Sequence, residues 1–454
     1  MATTVAVGSV SVSTNGALTN QILQSLSALS ATLAGVGATP SSGGSVGNAT
    51  GPGLQLNIAS TASGSFSVGG GYPVVTYQGS GTLTGADSST AVVGIINYAG
   101  GAGTVISGNT GTGPGNVSDS LGGALMSFAG GNNTVSASGN GQKINLDAGN
   151  NWIDAIGAGQ MYAQDGGSST INSSASTSGT STAMASGGNL TFLGFGAGGD
   201  VVSASGANTN LQFLGIGGGT DSVYGGAGAD TVFAGSAVYH GGTGSDLFVG
   251  GSGMTTLYGA SNETVYSGSG GGDWNFASNS KDFFDAAGGT SSAMAADTVM
   301  LASGSVASNV WSANNENLTL GSQSGASTGA VVVAYGNNDS INMTNSAGGN
   351  TVVMWNVNLS STQAFTGNTT LTGSSAGHDV VVMFGSLFGL ASEGAHTITI
   401  DNWQSTDVLD LSSGYSAAQA QAATTALAGG SSFTLSDGTT VQFNGAKPTT
   451  IVHS

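Results

Sequence analysis

Apolar positions recur every nine residues in the middle of the chain. A nine-residue unit is too short to close a hydrophobic core, but two units make one coil with two short strands. Stacked coils of this kind bury a continuous apolar column. The spacing therefore predicts a parallel β-solenoid, or β-roll, over residues 126–280. Five residues at this spacing are expected to point inward: Val135, Ile144, Ile153, Tyr162 and Ile171.

Shorter alternating runs of apolar and polar residues lie on both sides of this region and predict flanking β-rich segments. An apolar helical stripe from Leu18 to Leu33 ends at Gly35 and predicts a short N-terminal helix. A second helix is predicted from about Ser416 to Ala428, followed by a hairpin that turns at Asp437 and Gly438. The expected fold class is all-β, with short helices near both termini.

Five regions follow from these patterns. They are an N-terminal strand, helix and linker (1–60), a β-rich segment (61–125), the solenoid (126–280), a second β-rich segment (281–376) and a C-terminal cap (377–454).

The composition supports this interpretation. Of 454 residues, 82 are Gly and 39% are hydrophobic, a mixture that suits tightly turning β-structure rather than disorder. The formal net charge is −19, and the chain has three Lys and no Arg. Such a chain cannot neutralise phosphates, so nucleic acid is excluded as a partner. The chain has no Cys, which removes disulfides and thiolate metal sites.

The first residues, MATTVAVGSVSVSTNG, lack the basic region and the apolar core of a cleaved signal peptide. The chain also contains no run of 18 apolar residues, so we expect no membrane-spanning helix.

Two nonamers repeat one pattern of glycines and aspartate: GGAGADTVF from Gly225 and GGTGSDLFV from Gly241. Glycine allows positive φ values and exposes carbonyl oxygens in a turn, while Asp adds a hard anionic oxygen. Calcium prefers several oxygen ligands of these two kinds. On these motifs, the region resembles the calcium-binding repeats of RTX (hemolysin-type) proteins.

The resemblance implies a Ca²⁺ site between turns on the same side of the roll, with Asp230 paired with Asp246. The turn glycines of this site would be Gly226, Gly228, Gly242 and Gly244. Three further aspartates follow glycine runs and are weaker candidate ligands: Asp200, Asp221 and Asp273. Thr255 and Thr264 stand where the family pattern has Asp, so few sites are expected. The alternative is that all these aspartates are ordinary turn residues in contact with solvent.

The C-terminal region is also similar to the ends of RTX proteins, through TITIDNWQSTDVLDLSS and the LSDGTT hairpin. In that family such a region carries an uncleaved signal for type I export. The resemblance therefore implies a bacterial protein that is extracellular or located on the cell surface.

No catalytic constellation is found in the sequence. The chain contains no HExxH motif, and its GGSVG segment from Gly43 lies in a Gly/Ser-rich linker rather than between a strand and a helix. The four His are scattered without metal-ligand spacing. We therefore expect no enzyme.

Two function classes remain. The first is a secreted, calcium-binding structural protein that self-assembles into a surface layer or filament, favoured because few charges oppose strand pairing. The alternative is an adhesin that binds cell-surface glycans. Several of the five tryptophans aligned on one exposed face would favour the adhesin, whereas burial of most is expected.

Overall fold

A computed structural model of the chain describes, before residue 133, the strands and a few adjacent residues. From 133 onward it describes all residues except 138–139, 147–148, 156, 174–178, 261, 278–281, 286–294, 302–308, 313–315, 323–328, 335–337, 356–367 and 386–395. The chain divides into two compact units, Met1–Ala234 and Gly235–Ser454. Nearly all of the described structure is β, and the parallel β-solenoid is confirmed. The predicted helix from Leu18 to Leu33 lies outside the described residues.

The first unit contains two parallel sheets whose strands alternate along the chain, two strands to a coil. Sheet 1 consists of Gly115–Asp119, Asn133–Ala137, Asn150–Ala155, Ser168–Ser173, Gly188–Gly194, Thr209–Gly215 and Thr231–Ala234. Sheet 2 consists of Ile96–Tyr98, Leu125–Phe128, Lys143–Leu146, Met161–Gln164, Thr182–Ala185, Val201–Ser203 and Asp221–Tyr224. Parallel pairing therefore begins before residue 126.

The N-terminal part of the first unit also contains smaller sheets. Thr3–Val7 and Val10–Thr14 form an antiparallel pair. A parallel sheet consists of Gly35–Ala38, Leu54–Ile58 and Val74–Tyr77. A mixed sheet consists of Ser42–Val46, Ser63–Val68, Thr82–Gly85, Asn109–Thr112 and Thr104–Val105.

The nine-residue spacing produces the core of the first unit. All five predicted residues are at most 1% exposed, as expected for alternate strand positions that face inward. Val135 pairs with Ile153, which pairs with Ile171, so matching apolar residues lie directly above one another. Longer turns then change the spacing, but the column continues with Phe192 and Phe213, whose rings stack at 5.8 Å. Full burial of each such side chain stabilises the fold by about 1.5–3 kcal/mol.

Close stacking of the turns depends on glycine. Gly149 and Gly167 precede matching strands, Gly188 begins the next one, and their φ values are 92°, 75° and 80°. A Cβ atom on Gly167 would collide with the carbonyl oxygen of Gly149. Glycine is required here both by the left-handed backbone and by the approach of the neighbouring coil.

The second unit repeats the two-sheet arrangement. Sheet 3 consists of Leu247–Gly250, Thr264–Tyr266, Phe283–Asp285, Asn309–Ser312, Val331–Ala334, Thr351–Trp355, Val380–Phe384 and Val408–Leu411. Sheet 4 consists of Ala237–His240, Thr255–Tyr258, Gly272–Phe276, Ala295–Leu301, Glu316–Ser322, Ser340–Asn345, Thr369–Thr372, Thr397–Asp401 and Thr440–Asn444. Parallel pairing in this unit extends well beyond residue 280.

The C-terminal region covers the end of the second unit. The predicted helix is confirmed as Ala417–Gly429, with a capping box between Ser416 and Gln419. The predicted hairpin is also confirmed, because Ser432–Thr434 pairs antiparallel with Thr440–Asn444. Val452 bonds to the last strand of sheet 3 through Leu409 and Leu411. These contacts occupy backbone groups that an open strand edge would expose.

Candidate functional site

Both nonamer motifs form turns that lead into strands. Asp230 immediately precedes Thr231–Ala234 in the first unit and is 1% exposed. Asp246 immediately precedes Leu247–Gly250 in the second unit and is 2% exposed. Neither is a solvent-exposed turn aspartate, so the simple alternative considered from the sequence is wrong for both.

The Asp230 carboxylate connects two successive coils. Its Oδ1 accepts the backbone N–H of Leu211, and its Oδ2 accepts that of Gly226, each at 2.8 Å. A Cβ atom on Gly226 would collide with the carbonyl oxygen of Ala204, and one on Gly228 with the carbonyl oxygen of Thr209. The motif glycines therefore let the turn lie directly on the backbone of the coil before it.

Asp246 holds its own turn in a similar way. Its Oδ2 accepts the hydroxyl of Tyr239 at 2.8 Å and the backbone N–H of Gly242 at 3.2 Å. Gly244 lies in the same turn and is half-buried. The residues of this second motif are thus organised around one buried carboxylate.

Asp200 and Asp221 follow the same arrangement in sheet 2. Asp200 Oδ1 accepts the backbone N–H of Ser181 at 3.0 Å, and Asp221 Oδ1 accepts that of Asp200 at 2.9 Å. Burial raises the pKa of Asp200 to about 7, and the charge of Asp221 adds to this effect. Burial raises the pKa of Asp221 to about 6. Asp273 differs, because it lies in the strand Gly272–Phe276 with its side chain exposed.

One geometry accounts for most of these contacts. A buried residue at the start of a strand accepts, through its side chain, the backbone N–H of the matching residue one coil earlier. We call the acceptors the bracing residues. The donor and acceptor pairs are Gln142 to Gln160, Ser181 to Asp200, Asp200 to Asp221, Leu211 to Asp230, Glu263 to Asp282, Glu316 to Asp339, Ala330 to Asn350, Asn350 to Asp379 and Asp379 to Asp407.

The bracing residues matter because the backbone groups they satisfy are buried. An unsatisfied buried N–H costs about 1–3 kcal/mol. Several bracing carboxylates also accept from their own turn, as Asp379 Oδ2 does from Ser374 and Asp407 Oδ2 from Gln404, at 2.8 and 2.7 Å. Such a carboxylate therefore fixes both the shape of its own turn and the position of that turn on the preceding coil.

Sequence reasoning missed most of the bracing residues. The nine-residue frame put Thr264 at the Asp position of its unit, but the structure places Glu263 there. Its Oε1 accepts the backbone N–H of Ala260 at 2.8 Å, and its own N–H bonds to Asp282. The sequence signal for these residues is a polar residue immediately before an apolar strand, and it does not depend on the glycine motif.

Asp297 and Glu316 form a buried acidic pair in sheet 4. Trp274 Nε1 donates to Asp297 Oδ1 at 2.7 Å. Burial raises the pKa of Asp297 to about 6. Burial, and then the charges of Asp297 and Asp339, raise the pKa of Glu316 to about 9, so Glu316 holds a proton at neutral pH. The Ser267 side chain and the backbone N–H of Gly272 also face the Asp297 carboxylate, and the backbone N–H of Asp297 faces Glu316.

The bracing geometry bears directly on calcium. Backbone N–H groups face the carboxylate oxygens of Asp200, Asp221 and Asp230, and these hydrogen bonds offset part of the cost of burying a negative charge. Among the described residues, no three His, Asp or Glu side chains are grouped closely enough to hold a metal ion. As arranged within each unit, these aspartates fit a bracing role.

A scan of protein-family models and searches of curated proteins and of solved structures gave no match. The RTX resemblance therefore rests on the motifs alone. In the described part of the chain, no helix is both long and apolar enough to cross a bilayer.

Proposed function

We propose that this chain is a secreted structural protein that self-assembles into an extracellular layer or filament. The observation that carries this proposal is the set of large apolar side chains exposed on the outer sheet faces. Those within strands are Trp152, Tyr224, Phe233, Tyr258 and Tyr266, and Phe195 and Ile216 directly follow strands of sheet 1. Phe195, Ile216 and Phe233 belong to neighbouring segments of sheet 1, and exposed apolar groups that lie together in this way are typical of protein contacts. The chain also carries a net charge of −19, and the repulsion between copies keeps single copies soluble.

The proposal includes binding of Ca²⁺, supported by the two nonamers and by the concentration of buried carboxylates at the turns. Raised pKa values at Asp200 and Asp221 mean that burial opposes their negative charge. A divalent cation bound only to the folded chain would offset this cost and add to stability. Extracellular calcium sites of this kind fill at about 10⁻⁴–10⁻³ M.

The proposed location is the outside of a bacterial cell. Its support is the similarity of TITIDNWQSTDVLDLSS and LSDGTT to the ends of type I exported proteins. Asp407, inside this region, is a bracing residue, and the region caps the second unit through the helix Ala417–Gly429 and the hairpin. We propose that it serves both as the cap and as the export signal. We further propose that the chain has no catalytic activity.

Purified full-length protein in a calcium titration tests the proposal. We expect light scattering to rise at millimolar calcium and electron microscopy to show ordered sheets or fibres. Asp230→Ala combined with Asp246→Ala should lower the measured calcium stoichiometry, whereas Asp154→Ala, in a strand rather than a turn, should not. A protein that stays monomeric at millimolar calcium and high concentration would overturn self-assembly. An unchanged calcium stoichiometry in the double variant would overturn the assignment of the site.

The adhesin is the second candidate, and exposed Trp152 is the observation that favours it. Of the three tryptophan side chains that the structure describes, Trp274 and Trp403 are buried and Trp152 is 45% exposed. A single exposed tryptophan gives less support to glycan binding than an aligned row would. Self-assembly therefore stays the preferred function.

A further inference from the structure

The outer face of sheet 1 carries a row of apolar side chains near the end of the first unit. Leu193 lies directly beside Leu214, and Leu214 beside Phe233, on three successive strands. Phe195 and Ile216 extend the same face by one alternate position, and their N–H groups continue the inter-strand bonding. These five residues are defined here as the apolar patch.

The apolar patch is open, and the core does not need it. Phe195 and Phe233 are each 41% exposed and Ile216 is 63% exposed. The residues that alternate with them, Phe192 and Phe213, are fully buried and form the inner column. Part of the hydrophobic surface of the patch therefore stays in contact with solvent in the folded unit, and covering it would stabilise a complex.

A shallow hollow lies along the patch and gives it shape. It has a volume of about 470 Å³ and is bordered on one side by Leu193, Leu214 and Phe233. The other side is a polar row of Thr191, Gln212 and Thr231, in which the Thr191 hydroxyl donates to Gln212 Oε1 at 3.4 Å. Side chains of a facing surface can enter such a hollow.

The net negative charge of the chain favours contact between two copies through an uncharged face. None of the residues of the patch or of the polar row is ionisable, while the whole chain carries −19. Two copies that meet through this uncharged face keep their carboxylates apart and avoid most of the repulsion. A second copy also has the same strand spacing of about 4.8 Å, so its side-chain rows fit between those of the first.

We propose that the apolar patch is a self-association surface, which packs against the same patch of a second copy around a two-fold axis. A two-fold contact of this kind brings one face against itself and closes after two copies. The inference rests on the proposed self-assembly and identifies the face through which its first contact forms. At the C-terminal end of the second unit, the hairpin and Val452 already occupy backbone groups of the last strands, so a second copy is not expected to add a strand at that end.

Sedimentation velocity of the full chain, with and without millimolar calcium, gives the first test. Ile216→Ser combined with Phe233→Ser should weaken self-association at least tenfold. Met254→Ser, which changes an equally exposed apolar side chain in the second unit, should leave it unchanged. Circular dichroism checks that the variants keep their β content.

Disulfide trapping gives a second test that needs no large change in the patch. The chain has no Cys, so Leu214→Cys introduces a unique thiol at the centre of the patch. We expect covalent dimers on mild oxidation of Leu214→Cys and far fewer with Met254→Cys.

Each outcome separates this inference from the proposed function. If the wild type assembles and neither the serine variant nor the cysteine variant behaves as expected, the patch is wrong and self-assembly stands. If the wild type does not associate at all, both fail. If it remains monomeric but is retained on an insoluble neutral polysaccharide, and the serine variant is not, the patch is a glycan site and the self-association proposal is overturned.

Discussion

The Asp221 carboxylate accepts the backbone N–H of Asp200 at 2.9 Å, across two coils separated by 21 residues. Asp200 in turn accepts the N–H of Ser181. These aspartates, first selected as calcium ligands, thus form a chain of hydrogen bonds that holds successive turns together. Asp200 and Asp221 therefore have a structural role, which is to hold each turn on the coil before it.

Removing one acceptor from this series of hydrogen bonds should show how much it contributes to stability. Asp221→Ala leaves the buried N–H of Asp200 without that acceptor, so we expect a loss of about 1–3 kcal/mol in the free energy of unfolding. Asp221→Asn keeps an oxygen at the same place and should cost less. Amide hydrogen exchange at Asp200 should accelerate in the alanine variant. The control is Asp273→Ala, an exposed strand position, with an expected change within about 0.5 kcal/mol. Equal slow exchange in both alanine variants would refute the bracing role of Asp221.

Gly159 and Gly167 have similar backbone conformations, so alanine at each position distinguishes backbone strain from a steric clash with the neighbouring coil. Gly167 and Gly159 have φ values of 75° and 69°, but only Gly167 lies against the backbone of the previous coil. Gly159→Ala should lose about 1–2 kcal/mol from the left-handed conformation alone. Gly167→Ala should lose clearly more, because its Cβ also collides with Gly149. Thermal unfolding of both variants gives the comparison, and equal losses would show that the coils can move apart.

Neighbouring residues in one strand should respond in opposite ways. Ile153 is fully buried and Trp152 is 45% exposed. Ile153→Ala should reduce the free energy of unfolding by about 2–5 kcal/mol through lost burial and a cavity. Trp152→Ser removes a larger side chain from the outer face and should have little effect. Chemical denaturation measures both, and a larger loss at Trp152 would contradict the predicted inward direction of the nine-residue column.

The acidic pair should make the second unit more stable in acid than in base. The folded-state pKa of Glu316 is raised from 4.5 to about 9, so the folded state binds the proton more tightly than the unfolded state. Its stabilising contribution is complete below pH 4.5 and is lost as the pH rises toward 9. Asp297 acts in the same direction, with a folded-state pKa of about 6.

Glu316→Gln tests this coupling, because glutamine keeps the shape of the neutral acid and does not titrate. We expect the unfolding temperature of the wild type to fall between pH 5 and 9 and that of the variant to fall less. Asp273→Asn serves as the exposed control and should follow the wild type. A variant with the full pH dependence of the wild type would place the responsible group elsewhere.

Part of the architecture could be predicted from the sequence alone. The spacing of Val135, Ile144 and Ile153 predicted which side chains fill the core, because alternation along a strand is a local property of the backbone. The helix Ala417–Gly429 and the hairpin at Asp437 were also predicted, from composition and from turn residues. The glycine motifs identified the turn positions of Asp200, Asp221 and Asp230, but not the hydrogen bonds by which they brace the turns, and their metal binding stays a prediction.

The sequence by itself determined the repeat, the inward column and the glycine turns that let coils approach, because these depend on neighbours close in the chain. Tertiary structure decided which acids are buried, which N–H each one accepts and which apolar residues stay outside. Those outcomes depend on pairing between residues 18 to 29 positions apart, as in Glu263 with Asp282 and Asn350 with Asp379. Turn lengths vary between coils, so a one-residue difference places Glu263 rather than Thr264 in the turn, where it accepts the N–H of Ala260, and leaves Asp273 in solvent.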